Sequence, residues 1–118
     1  MDIKSNFAHP LVTIVTITRN LVKEKREAFA KACIESVHFQ SYPYIEHIII
    51  DGASEDGTLE FLQSYVDKGY LTVYSEPDQG IYDAMNKGLA RAKGKYINFL
   101  NTDDFFHNPL AVEVSVQQ

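Results

Sequence analysis

Three consecutive isoleucines, Ile48 to Ile50, run straight into Asp51. A strand with one wet face alternates apolar and polar residues, so an unbroken β-branched run of this kind has both faces covered. That is the pattern of an inner strand in a parallel sheet with helices on either side. The rest of the chain repeats the theme. Leu11–Thr18 (LVTIVTIT) is a second β-branched run, and Leu71–Ser75 and Tyr96–Leu100 are shorter ones. Between the runs, apolar residues recur at the spacing of a helix. The first helix spans about 25–40, with Phe29, Ala30, Cys33, Ile34 and Val37 as its apolar stripe. The second is capped by Asp56 or Thr58, reaches Val66 and is stopped by Gly69. The third spans about 81–92, with Ile81, Ala84, Met85, Gly88, Leu89 and Ala92 facing inward and Gly94 ending it. The tail from Pro109 to Gln118 reads as a helix, although Val112, Val114 and Val116 alternate as a strand would. The order is βαβαβαβ, an α/β chain with a mostly parallel sheet and right-handed crossovers.

At 118 residues, 45% of them hydrophobic, the chain suits one domain over residues 11–118 behind an N-terminal extension, residues 1–10. A net charge of -5 argues against a nucleic-acid partner. Lys87, Arg91, Lys93 and Lys95 crowd one segment, which reads as a solvated helix face. Cys33 is the only cysteine, so no intrachain disulfide can form; it reads as a small buried hydrophobe in a reducing, cytoplasmic setting. The start, MDIKSNFAHP, lacks the apolar stretch of a signal peptide. No run approaches the roughly 20 apolar residues of a membrane span.

In open parallel sheets ligands bind beyond the carboxyl ends of the strands, where strand order reverses. Three polar strand ends should therefore converge: Thr16, Thr18, Arg19 and Asn20; Asp51 and Gly52; and Asn101 to Asp104. Asp103 and Asp104 suit Mg2+ or Mn2+, which take oxygen ligands and often share them with a diphosphate. The same NTDD stretch also reads as a helix-capping turn. Asp51 suits an imide N–H such as the edge of uracil, or equally an Asx-type turn with Gly52. His9, His38, His47 and His107 lack metal-ligand spacing. Neither a Walker lysine loop nor G-x-G-x-x-G is present, and no Ser-His-Asp or Cys-His constellation can be argued.

Three stretches, VTIVTITRN, IEHIIIDGASEDGT and SEPDQGIYDAMNKGLARAKGKYINFLNTDD, together resemble family 2 glycosyltransferases of the GT-A fold. The flavour is that of bacterial enzymes of exopolysaccharide, colanic-acid or O-antigen assembly. The resemblance implies a three-layer, Rossmann-like nucleotide-binding half and a nucleoside-diphosphate-sugar donor, typically UDP-linked. Residue by residue, it implies that Thr16 and Thr18 border the base with Arg19 and Asn20 nearby. Asp51, beside Gly52, would hydrogen-bond the base. Asp78, Gly80, Asn86 and Gly88 would line the donor cleft, with Lys87 or Arg91 approaching the diphosphate. Asp103 would contact the ribose or sugar, and Asp104 would be the main metal ligand, with Asn101 where the family often has Asp.

The implied reaction is metal-assisted transfer, with inversion, to a saccharide or lipid-linked acceptor. The location implied is the cytoplasm, at the inner face of the cytoplasmic membrane through peripheral association. Such enzymes continue past the aspartate pair to a carboxylate general base, and here only Glu113 follows. The expectation is thus a fragment truncated after the metal motif, with its catalytic base unknown and exposed apolar surface that favours a homo-oligomer. A catalytically silent nucleotide-sugar-binding module is the alternative.

Overall fold

The computed structural model describes residues 9–117, so most of the expected N-terminal extension, residues 1–8, lies outside the described residues. The elements are β1 (Val12–Thr18), α1 (Glu27–His38), β2 (Ile45–Asp51), α2 (Thr58–Asp67), β3 (Thr72–Ser75), α3 (Ile81–Arg91), β4 (Tyr96–Phe99) and α4 (Ala111–Gln117). The strands form one sheet in the order β3-β2-β1-β4. Every pairing is parallel, with Thr18 beside Asp51, Asp51 beside Ser75 and Val15 beside Phe99. The chain steps outward from β1 to β3 and then returns to the far side of β1. The reversal of strand order therefore lies between β1 and β4.

The two faces of the inner strands are both covered. Val12 and Ile14 pack with Val37, Tyr42 and Val112. Ile49 joins Ile34, Leu62, Tyr65 and Leu71 on the same face. Val15, Ile48 and Ile50 pack with Ala84 on the other. The result is three layers, with α1, α2 and α4 on one face and α3 on the other. Ile48, Ile49 and Ile50 are each 1% exposed, which is what an unbroken apolar run demands.

The apolar stripes are narrower than expected. Phe29 is 56% exposed, Ile81 57% and Leu89 46%. For α3 the reason is close approach: a Cβ on Gly88 would stand 2.5 Å from Val15 Cγ1. The helix lies so near the sheet that only Ala84 and Gly88 face it squarely, and larger neighbours are pushed to its flanks. Gly94 also differs from its expected role. The helix ends earlier, and a Cβ on Gly94 would stand 2.6 Å from the backbone nitrogen of Thr13. Gly94 instead donates its N–H to Thr13 Oγ1 at 2.8 Å, which seats the entry to β4 against β1.

Beneath α1, Thr16 contacts Cys33 Sγ at 3.9 Å and His47 Nε2 at 2.8 Å. Burial pushes the Cys33 thiol up to about 11, which makes it a core group rather than a nucleophile. Among the described residues no helix is long and apolar enough to cross a membrane.

Candidate functional site

Asp51 ends the inner strand β2 and is itself 0% exposed. Such a carboxylate must find donors inside the protein. Oδ1 accepts the hydroxyls of Thr18 at 2.8 Å and Ser54 at 2.6 Å. Oδ2 accepts the Ser54 backbone N–H and the Ser75 hydroxyl, both at 2.8 Å. Four donors fill the roughly four lone-pair sites of a carboxylate. Asp51 thus ties the ends of β1, β2 and β3 together. Direct hydrogen bonding to a base, the role implied by resemblance, would require one of these partners to leave. The bond from Asp51 to the Ser54 N–H closes the turn after β2 from within. The loop it holds is strained at one point: Ala53 has φ 56°, a left-handed conformation that costs a residue with a Cβ of order 1 kcal/mol.

Past this hub the loops after β1 and β2 lace together. Asn20 donates its backbone N–H to Ser54 Oγ at 2.8 Å, and Lys23 donates its own to Asp56 Oδ2 at 2.7 Å. Asp56 Oδ1 meanwhile accepts from the N–H and hydroxyl of Thr58, the first residue of α2, while the N-cap position falls to Gly57 in a left-handed conformation rather than to Asp56 or Thr58. The laced loops and the segment after β3 enclose a cleft of about 480 Å3 lined by Arg19, Asn20, Lys23, Gly52, Pro77 and Asp78, with Glu55 and Asp56 at its side. That volume falls in the range of small-molecule sites.

The segment after β3 is pinned from behind. Lys87 donates to the Pro77 carbonyl at 2.6 Å and pairs with Glu76 and Asp83 at 3.5 and 3.3 Å. Asp83 in turn accepts the Gln79 N–H at 2.9 Å. Gly80, at φ 116°, then turns the chain into α3. The Arg91 guanidinium lies 4.3 Å over the Tyr74 ring. Lys87 and Arg91 therefore organise the β3–α3 connection and are not turned toward the cleft. Its cations come from the β1–α1 loop, as Arg19 and Lys23.

Asp103 and Asp104 follow β4, whose last residue pairs with Val15 of β1, and neither is among the residues that line the cleft. Asp103 Oδ2 accepts from Arg26 Nη2 at 2.9 Å, with both side chains about half exposed, so the pair adds little stability. Asp104 closes the turn through its N–H to the Asn101 carbonyl at 3.0 Å, and its residue is exposed. Among the described residues no three His, Cys, Asp or Glu side chains are grouped to hold a metal ion. Two adjacent carboxylates do fit a hard cation that takes its remaining oxygens from a phosphate ligand and water.

Arg19, Asn20, Gly52 and Asp78 line the cleft, whereas Asn101 to Asp104 do not. Thr16 is not: the two-residue alternation of β1 turns it inward onto His47. Thr18 is 2% exposed and bonded to Asp51. Gly80 contributes backbone, its N–H donating to Asp78 Oδ1 at 3.1 Å. Asn86 is exposed and lies on the side of α3 opposite the buried Ala84 and Gly88, away from the cleft. Sequence reasoning missed Lys23 and Arg26. Both sit in a charged run, VKEKREAF, that reads as an ordinary solvated helix start.

The family model described as Glycosyl transferase family 2 matches residues 13–117. The putative teichuronic acid biosynthesis glycosyltransferase TuaG of Bacillus subtilis is 39% identical over 97 residues, which are 80% of this chain and 36% of that protein. The PGL/p-HBAD biosynthesis glycosyltransferase Rv2957 of Mycobacterium tuberculosis is 33% identical over 99 residues, 82% of this chain and 37% of that one. The chain thus spans little more than a third of the length of these relatives. Among solved structures, S. aureus TarS 1-349 in complex with UDP-GlcNAc superposes with TM-score 0.77 at 22% identity, over 91% of this chain and 30% of that one. The mannosyltransferase PcManGT from Pyrobaculum calidifontis, in complex with GDP-Man and Mn2+, gives TM-score 0.75 at 23% identity over 86% and 30%. At such identities the superpositions speak for the fold, which is the Rossmann-like GT-A architecture.

Proposed function

The chain belongs to glycosyl transferase family 2, and on that premise we propose that it is the donor-binding part of an enzyme that moves a sugar from a nucleoside diphosphate sugar to a saccharide or lipid-linked acceptor. The observation that carries the reading is the polar cleft of about 480 Å3 at the carboxyl ends of the parallel strands, with Arg19 and Lys23 in its wall. The names of the superposable structures, which include UDP-GlcNAc and GDP-Man complexes, support a donor of this class.

In this reading each element has one task. Asp51 holds three strand ends at fixed spacing, so the cleft is formed before the donor arrives. Gly52 and Asp78 face the base. Arg19 and Lys23 offset the diphosphate charge. Asp103 and Asp104 hold Mg2+ or Mn2+, and Arg26 balances the charge of Asp103 until then. The cation, when bound, neutralises the diphosphate and stabilises it as leaving group. Transfer inverts the anomeric centre by in-line displacement, and no residue of this chain is assigned as the general base for the acceptor.

Calorimetric titration with a UDP-hexose, with and without Mn2+, tests this. Binding is expected with Mn2+, weakened about a hundredfold or more by Asp104→Ala, since even the outer partners of metal ligands are worth about 10–100-fold. Absence of binding with metal present contradicts the reading. Release of UDP over time, assayed in the same samples, separates a working transferase from a silent binding module.

A further inference from the structure

With Asp51 closed off by four donors, some other acid must read the base if the donor-site reading above, on which this inference rests, is right. Three other acids line the cleft: Asp56 is taken up by Lys23 and Thr58, Glu55 is exposed, and Asp78 is the one that is both half-buried and open at one oxygen. It is half-buried, its backbone is pinned by the Lys87 and Asp83 network, and its Oδ1 accepts the Gly80 N–H at 3.1 Å. No described residue donates to its Oδ2. That oxygen lies where a side chain at position 52 would begin: a Cβ on Gly52 would stand 2.7 Å from it. The Arg19 stem covers the same spot, its Cδ 3.5 Å from that Cβ position. Gly52 is therefore a vacancy into which a carboxylate from another loop reaches, and Arg19 makes no ion pair among the described residues.

We infer that Asp78, seated in the space left by Gly52, is the specificity-determining residue for the donor base and that the base it selects is uracil. The donor count decides the base. One free oxygen matches one N–H, and uracil offers a single N3–H between two carbonyls, one of which the Arg19 guanidinium can serve. Cytosine carries a lone pair at N3, which the carboxylate would repel, and its N4 amino donor stands where uracil has a second carbonyl, so it could meet Asp78 only by shifting off the uracil position. Guanine presents two adjacent donors, N1–H and the N2 amino group, that call for both oxygens, and Oδ1 is already engaged. Sites built around a buried hydrogen bond discriminate strongly against analogues that leave it unmade.

The test is titration of the full chain with UDP, CDP and GDP in Mn2+, with inorganic pyrophosphate as a probe that carries no base. The unaltered chain is expected to bind UDP at least about tenfold more tightly than CDP, and more tightly than GDP. Asp78→Asn keeps the size but replaces one acceptor oxygen by an amino group, whose N–H cytosine N3 can accept and uracil N3–H cannot. The UDP preference over CDP should fall to about one or below. Gly52→Ala leaves Asp78 intact and pushes its carboxylate aside. The preference should collapse there too, with the melting temperature nearly unchanged because the displaced atom ends a side chain. Pyrophosphate binding should stay within about twofold in both variants, since the base contact is what they remove. Equal binding of UDP and CDP, tighter binding of GDP, or a UDP preference that survives both variants overturns the inference while leaving the donor site standing. No nucleotide binding by the unaltered chain defeats the donor-site reading itself, and the inference with it.

Discussion

Asp51→Ala removes about 4 kcal/mol of stability, lowering the melting temperature by roughly 15 °C, while Asp51→Asn removes only about 1–2 kcal/mol. The alanine variant orphans the Thr18 and Ser54 hydroxyls and the Ser54 N–H, all inside the protein, and frees Ser75 at the edge. Each buried donor left unpaired costs about 1–3 kcal/mol. Asparagine keeps the shape and one acceptor oxygen. Because the hub joins three strand ends, its loss also loosens the cleft, so nucleotide affinity falls with stability. Urea denaturation of the three proteins measures this directly. An Asp51→Ala loss below about 1 kcal/mol would show that the carboxylate does not hold the strand ends together.

Acid is the second large lever, through His47. The residue is 4% exposed, its Nε2 is shared with Thr16, and its Nδ1 is buried without a partner. Burial pushes its pKa down from 6.5 to about 4. Between those values the unfolded chain binds a proton that the folded one refuses. Stability is thus fully present above pH 6.5 and is lost as pH falls toward 4. The loss should be about 2 kcal/mol between pH 7 and pH 5 and about 3 kcal/mol by pH 4. Denaturation at pH 7, 6 and 5, beside a His47→Gln variant that cannot charge, isolates the contribution. Parallel pH profiles for the two proteins would refute it.

Much of this architecture is legible in the sequence because it rests on local patterns. The isoleucine run demands cover on both faces, and the β1 and β2 boundaries follow from β-branched residues ending at a charge. Asp56 and Thr58 mark where α2 begins and Gly69 where it ends, although the N-cap itself is Gly57. What periodicity cannot give is how near a helix lies to its sheet. Gly88 sets that distance for α3, and the exposure of Ile81 and Leu89 follows from it.

The site was half legible for a similar reason. A carboxylate at the end of a buried strand marks the place, but its orientation depends on partners far along the chain. Ser75, 24 residues from Asp51, is one of the donors that turn it inward. Asp78 reaches the cleft only because residue 52 lacks a side chain, a fact of three dimensions. Arg26 meets Asp103 across 77 residues, and nothing in the charged run around Arg26 singles it out.

The most direct measurement is a crystal of this chain soaked with UDP and Mn2+. Base density is expected against Gly52 and Asp78, with the diphosphate running from Arg19 toward β4 and anomalous signal from manganese at Asp103 and Asp104. Nucleotide bound away from the ends of β1 and β2, or manganese held by other carboxylates while these two stay bare, would contradict that expectation.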